Sequence, residues 1–469
     1  MAHRFLACLL VGLAGLGGCV EGSRAGPGGG LLADGGTPTP SAYCDALAAG
    51  GIVLTDDAGK LVGAPLVFAP TSHGFGVSVV VQGGSPATLG LRVRAAGAAA
   101  WSDASAPVVR ATDVAEWTVA ELAAGVRYDY EVVGCSAAGE SALHRGNAVT
   151  QRSAGASFTF TLISDTHIGA DLDYTNQGDE STLADVSRAI AAASPDFLVN
   201  LGDILDYHQY GFNAPPPDTA TARQAYVNYR STLGDLAGNA AHYPVLGGWD
   251  AESGCDTASE IERSRSQRLL YLPAPGPQTS PQGGSPFEDY YAFTWGDALF
   301  VVLNVFTYTP SCHLLSLGSG TPDDWTLGPA QLDWLRQTLA NATSKWKVLF
   351  IHHPVGGNAG DDINSAYGRG GGRAAHVGEQ QIVHQMMRDY GVQLFFYGHD
   401  HVFTDMTVDG IHYSLPGSAG AIWKFTADET GYETSWPDSG WARVDVTPDD
   451  VHVRFMPMTG KPLLDYIVR

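Results

Sequence analysis

The sequence predicts an α/β protein preceded by a smaller all-β region, and three observations carry that prediction. From about residue 156 onward, short apolar runs alternate with helical stretches, as in layered α/β folds. Between about 41 and 153 apolar residues instead alternate with small or polar ones, as in strands with one solvated face. Finally, residues able to hold a metal ion stand where the apolar runs of the second part stop.

In the first part, Gly76 to Val81 is rich in Val, and Leu89 to Arg94 alternates. The clearest strand is Val126 to Val132, with apolar residues on one face and charges on the other. In the second part, the strand candidates are Phe158 to Ile163, Phe197 to Leu201, Pro244 to Leu246, Leu299 to Leu303, Val348 to Ile351 and Leu394 to Tyr397. Helices are expected near 181–193, 219–237, 329–342 and 378–390. The section from about 409 to 469 returns to short alternating strands such as Trp441 to Val446.

A chain of 469 residues suggests two or three domains at about 150 residues each. Hydrophobic residues make up 44% and charged residues 16%, enough apolar material for a sizeable core. The formal charge of −23 repels polyanions, which argues against a nucleic-acid-binding surface. Residues 1–18 read as an export signal: Arg4 gives a positive start and Phe5 to Leu16 an apolar run. Leu16-Gly17-Gly18-Cys19 resembles a bacterial lipobox, which implies lipid on Cys19 and a membrane-anchored protein in the periplasm or at the cell surface. Residues 19–40, rich in Gly, Pro, Ala and Thr, read as a flexible tether. Beyond Cys8 and Cys19, four cysteines remain, with three possible connectivities. Pairing Cys44 with Cys135 and Cys255 with Cys312 keeps each bridge within one region, and an exported chain permits both.

The metal-type residues are Asp165-Thr-His167 after the first run, Gly202-Asp203 after the second, His352-His353-Pro354 after the fifth and Gly398-His399-Asp-His401 after the sixth. Each piece alone is a common loop motif. Together they point to one site, because strand ends on one edge of a sheet converge in space. Carboxylates mixed with imidazoles suit iron, zinc or manganese better than calcium.

The order and spacing resemble the calcineurin-like metallophosphoesterase family, whose pattern runs D-x-H, G-D, G-N-H-[DE], H and G-H-x-H. The resemblance implies a four-layer α/β/β/α sandwich over residues 154–469 and a centre of two divalent or trivalent ions hydrolysing a phosphate ester. Carried over, Asp165, His167 and His401 hold one ion, His352 and His399 the other, and Asp203 bridges them. Leu122, Gly125, Tyr128, Tyr130 and Val132 resemble the L-x-x-G-x-x-Y-x-Y-x-V signature of fibronectin type III domains. This implies a β-sandwich over 41–153, as precedes the catalytic domain in purple acid phosphatases, with a spacer or lid-supporting role.

One block departs from the family. The third motif reads Gly247-Gly248-Trp249-Asp250, so Gly248 replaces a ligand Asn and Trp249 a His near the leaving group. Water or Asp250 fills the gap, or that ion binds weakly, and His353 is the candidate proton donor, ahead of His376. Asp206 holds the place where purple acid phosphatases put a ligand Tyr, so a Tyr-ligated iron site is not expected. The alternative to a phosphoesterase is a catalytically degenerate surface lipoprotein with a binding or structural role. The substrate, the metal and the oligomeric state are not legible.

Overall fold

The computed structural model describes residues 41–170, 178–206, 218–252, 257–277, 283–308, 326–353, 372–426, 430, 432–458 and 460–469. The expected signal and tether, Cys255 and Cys312 lie outside them, as does the side chain of His376.

In the second part the apolar runs form strands buried on both faces, which is why they read as continuous rather than alternating. Successive side chains divide between cores. Phe158, Phe160, Phe197 and Val199 share a central core with Phe300, Val302, Phe350 and Phe396. Ile163 and Leu198 point the other way, onto Leu183, Val186, Tyr226 and Leu233 from the helices Glu180–Ala193 and Thr219–Leu233. Leu299, Val301, Leu349 and Phe395 pack outward with Leu335, Leu339, Val383 and Met387 from the helices Gly328–Asn341 and Gly372–Asp389. The result is helix, sheet, sheet, helix. Aromatic rings fill the middle: Phe160 stacks on Phe197 at 5.0 Å, and the edge of Phe300 meets them at 5.2 and 5.3 Å.

In the first of the two sheets, Phe158–Ile163, Phe197–Asn200 and Ala241–Pro244 run parallel and adjacent. Gly440–Val446, Val451–Pro457 and Leu464–Val468 extend it antiparallel. In the second sheet, Ala298–Val302, Trp346–Phe350, Leu394–Phe396 and Ile411–Pro416 run parallel. Tyr291–Trp295 and Phe403–Val408 form its antiparallel edges. The carboxyl ends of both parallel sets carry the metal-type residues.

The N-terminal strands form two sheets. One holds Ser102–Asp103, Leu89–Ala95, Arg127–Ser136 and Gly139–Val149. The other holds Leu66–Thr71, Gly74–Gln82, Val114–Val119 and Val108–Ala111. Tyr128 of the fibronectin-like signature accepts the Ala123 N–H through its hydroxyl at 2.9 Å, a tyrosine corner that fixes the entry to its strand. The second of these sheets continues into the large one, through the pair Phe68 and His242.

Other links tie the two parts. The guanidinium of Arg230, fully buried, donates to Ser78 O at 2.6 Å and to Tyr271 O at 3.2 Å. Asp196 accepts from Arg152 at 2.6 and 2.9 Å and from Trp295 Nε1 at 3.2 Å. The N-terminal strands are thus built into the molecule rather than hung from it.

Several elements differ from expectation, among them the edge strands Tyr291–Trp295 and Phe403–Val408, which were not foreseen. Ser41–Ala49 is a helix, pinned by a disulfide between Cys44 and Cys135. The helix expected at 219–237 breaks at Gly234, which takes φ 55° and starts a short helix Asp235–Asn239. Strand Ala241–Pro244 ends where the expected one began. The helix Ala258–Tyr271 was not anticipated, because it has too few apolar residues to show a stripe. Its signal was the capping box, in which Glu260 Oε2 accepts the Thr257 N–H at 2.9 Å. Among the described residues no helix is long and apolar enough to cross a membrane.

The Cys44–Cys135 bridge joins positions 91 residues apart. Non-reducing peptide mapping of the native protein is expected to recover this pair. Cys44→Ser is expected to lower the denaturant-derived unfolding free energy by about 2–4 kcal/mol. A free Cys135 thiol in the native protein would contradict the pairing.

Candidate metal centre

Each group of metal-type residues sits just past a strand end, on loops that continue the backbone ladder. The N–H groups of Asp165, His167 and Ile168 donate to the carbonyls of Gly202, Asp203 and Ile204 at 2.9, 3.0 and 3.1 Å. Gly398 N–H donates to His352 O at 2.9 Å. To turn their side chains inward, these loops take left-handed backbone. Asp165, His167, Asp203, His399 and His401 have φ of 53°, 47°, 48°, 79° and 58°. Asp and His tolerate this region better than most residues, yet each instance costs on the order of 1–3 kcal/mol.

Glycines make the crowding possible. Gly202 takes φ 105°, and a Cβ there would meet His352 Nδ1 at 2.7 Å. A Cβ on Gly247 would meet Asp203 Oδ1 at 2.2 Å.

The loops bring together all six sequence-predicted ligands. Asp165, His167, Asp203 and His401 offer ligand atoms within 4.8 Å of one another, and so do Asp203, His352 and His399. Asp203 belongs to both groups. Its Oδ2 lies 3.0 Å from His352 Nε2 and 3.8 Å from His167 Nε2, while its Oδ1 accepts the Trp249 N–H at 2.8 Å. Asp165 accepts the His399 N–H at 3.0 Å and lies 3.3 Å from His401 Nε2.

The imidazoles are aimed from behind. His352 Nδ1–H donates to Leu201 O and His401 Nδ1–H to Trp423 O, both at 2.9 Å. With Nδ1 carrying the proton, each Nε2 presents a lone pair to the centre. The Nε2 atoms of His167 and His401 stand 3.2 Å apart. Two nitrogen lone pairs so close need a cation or proton between them. The donor set therefore fits a metal ion.

The electrostatics agree. Burial pushes His167 down to about 4, leaving it neutral and fit for ligation near pH 7. Burial also opposes charge on His352, but Asp203 and Asp165 override it and lift that ring to about 9. Asp203 itself, despite burial, is held below the usual carboxylate range by His352 and His167. The two carboxylates thus demand positive charge, which a bound cation would supply in place of a proton.

The other predicted residues are placed differently. His353 is buried beside the cluster, its ring 4.4 Å from that of His399. Asp250 is not grouped with the ligands. Its Oδ1 accepts the N–H groups of Ile204 and Leu205, both at 3.0 Å, and its Oδ2 that of Gly247 at 2.8 Å. It clamps the Asp203 loop to the third motif instead of filling the gap at Gly248. That gap is crowded: a Cβ on Gly248 would come within 3.1 Å of the Phe306 ring, which lies 5.7 Å from His352. The Trp249 ring stands edge-on to His167 at 5.5 Å.

Sequence reasoning missed Phe306 and the loop carrying Trp423. Both are ordinary apolar or mixed stretches, and no residue type marked them. It also missed the support beneath Asp400, whose Oδ2 accepts the Tyr432 hydroxyl at 2.5 Å and so holds the turn between His399 and His401.

A purple acid phosphatase, PPD1 from yellow lupin (Lupinus luteus) seeds, shares the fold with a TM-score of 0.64 at 12% identity, over 86% of this chain and 74% of that one. PhoD matches with a TM-score of 0.62 at 14% identity, over 87% and 88%. No curated protein sequence matches the chain. The family model for calcineurin-like phosphoesterases matches residues 158–403, more than half of the 469, and spans all six clustered residues. The chain belongs to the calcineurin-like phosphoesterase family.

Proposed function

We propose that the protein hydrolyses phosphate esters at a centre of two metal ions. Asp165, His167 and His401 would hold one ion, His352 and His399 the other, with Asp203 shared. The observation that carries this reading is the division of six buried or half-buried ligands into two groups with one carboxylate in common. When bound, the ions supply Lewis acidity and an activated water.

The chain's own residues do the rest. Asp203 sets the spacing of the two half-sites, and the Trp249 N–H fixes its outer oxygen. Leu201 O and Trp423 O keep His352 and His401 in the ligating tautomer. Trp249 offers no titratable proton where the family pattern has His. The family's proton donor is therefore missing, and His353, beside His399, replaces it only in part. Carboxylate and imidazole favour iron, zinc or manganese. We further propose that the protein is exported and anchored through lipid on Cys19. The lipobox-like Leu16-Gly17-Gly18-Cys19 supports this, and the Cys44–Cys135 bridge is consistent with an oxidising compartment.

Metal analysis joined to a phosphatase assay tests the reading. Asp203→Asn is expected to lose most bound metal and all measurable turnover of 4-nitrophenyl phosphate. Asp333→Asn, on the exposed face of a helix, should lose neither. Equal metal content in the native protein and Asp203→Asn would defeat the assignment.

The altered third motif generates a second expectation. A nitrophenolate leaves without a proton, whereas an alkoxide needs one, and positioned acid catalysis is worth about 10²–10⁴-fold. The native protein should therefore turn over 4-nitrophenyl phosphate far faster than ethyl phosphate. Trp249→His keeps the backbone N–H to Asp203 and should narrow that gap. Gly248→Asn alone should help little, because its side chain meets Phe306. Equal native rates on the two esters would show that another group already protonates the leaving oxygen efficiently.

A further inference from the structure

The loop after the Ile411–Pro416 strand walls one side of the cluster, and its backbone is tied down along its length. Ala419 N–H donates to Ser164 O at 2.8 Å, Ala421 N–H to Asp165 O at 2.9 Å and Phe425 N–H to Asp400 O at 3.3 Å. Gly420 O accepts the Asp179 N–H at 2.8 Å, and a Cβ on Gly420 would reach within 2.2 Å of Thr166 O. Lys424 Nζ closes the loop on Ser418 Oγ and Ala421 O.

These bonds hold two aromatic rings in fixed places. The Trp423 ring lies 4.2 Å from His401 and 4.6 Å from Phe425. Phe425 lies 5.8 Å from His401 and 5.9 Å from His399. Five of the six clustered residues are at most 1% exposed, and His399 alone is half-buried. Among the described residues the cluster thus meets solvent at His399, on the side where Phe425 and the half-buried Trp423 stand.

We infer that Trp423 and Phe425 form the binding face for the alcohol portion of the substrate, and that this portion carries an aromatic ring. The inference rests on the phosphoesterase reading and names its substrate class. Flat rings gain from edge or offset contact with aromatic faces beyond the area they bury. A polyhydroxy alcohol would leave its hydroxyls unpaired against these side chains. A polyanionic alcohol such as an oligonucleotide is opposed by the net charge of −23. A preformed wall binds without an ordering cost.

Phosphonates test this apart from turnover, since their carbon–phosphorus bond offers no leaving group to protonate. Calorimetry on the metal-loaded full chain should show phenylphosphonate binding about tenfold more tightly than methylphosphonate. Trp423→Ala should bring the two affinities close to equality, and Trp423→Phe should keep most of the difference. Metal content is measured alongside. If Trp423→Ala also loses metal, Trp423→Leu decides, with a reduced phenyl preference expected at unchanged metal content. An unchanged preference in that variant would overturn the inference. Equal native affinity for both phosphonates would overturn it while leaving the phosphoesterase reading intact. Binding of neither by the metal-loaded protein would overturn both.

Discussion

Asp165 and Asp203 lie at the ends of adjacent parallel strands, 0% and 1% exposed, and a carboxylate removed from water must find positive charge. Most of the local structure around them answers that demand. Four imidazoles converge from three loops, two of them aimed by backbone carbonyls from behind. The His399 N–H reaches Asp165 and the Trp249 N–H reaches Asp203. Five residues accept left-handed backbone to present these side chains. Such an arrangement persists only where the surroundings over-determine it, and cation binding is a reason for it to do so.

The surroundings do over-determine it. Both parallel sheets are covered on both faces, and the aromatic stack between them leaves the strand ends little freedom to shift. Asp250 draws three backbone N–H groups onto one side chain and so locks the Asp203 loop to the third motif. The N-terminal strands contribute by continuing the large sheet past Ala241–Pro244 and by receiving Arg230. Losing one of these carbonyl acceptors would leave a buried guanidinium N–H unsatisfied, so this seam is a structural joint between the two parts.

Much of this was legible in the sequence, for identifiable reasons. Strands buried on both faces read as unbroken apolar runs, so Phe158–Ile163 and Trp346–Phe350 announced themselves, and Asp165 and His352 stood out as polar residues just past them. Other features left no one-dimensional trace. The space a side chain at Gly248 would need is occupied by Phe306, 58 positions away along the chain. Asp250 looked available to a metal because its type permits it, and only the fold shows its oxygens engaged. Helix Ala258–Tyr271 is polar because it packs through Arg268, buried on Glu252, in place of an apolar stripe. The orienting groups for His401 and His352 are backbone carbonyls, which every residue has and no sequence pattern marks.

The central claim is that Asp203 stands between two cations. Anomalous X-ray scattering from crystals of the protein loaded with manganese or zinc measures this most directly. The account predicts two peaks about 3.5–4 Å apart, one beside His167 and His401, the other beside His352 and His399, with Asp203 between them. A single peak, or peaks placed away from Asp203, would contradict it.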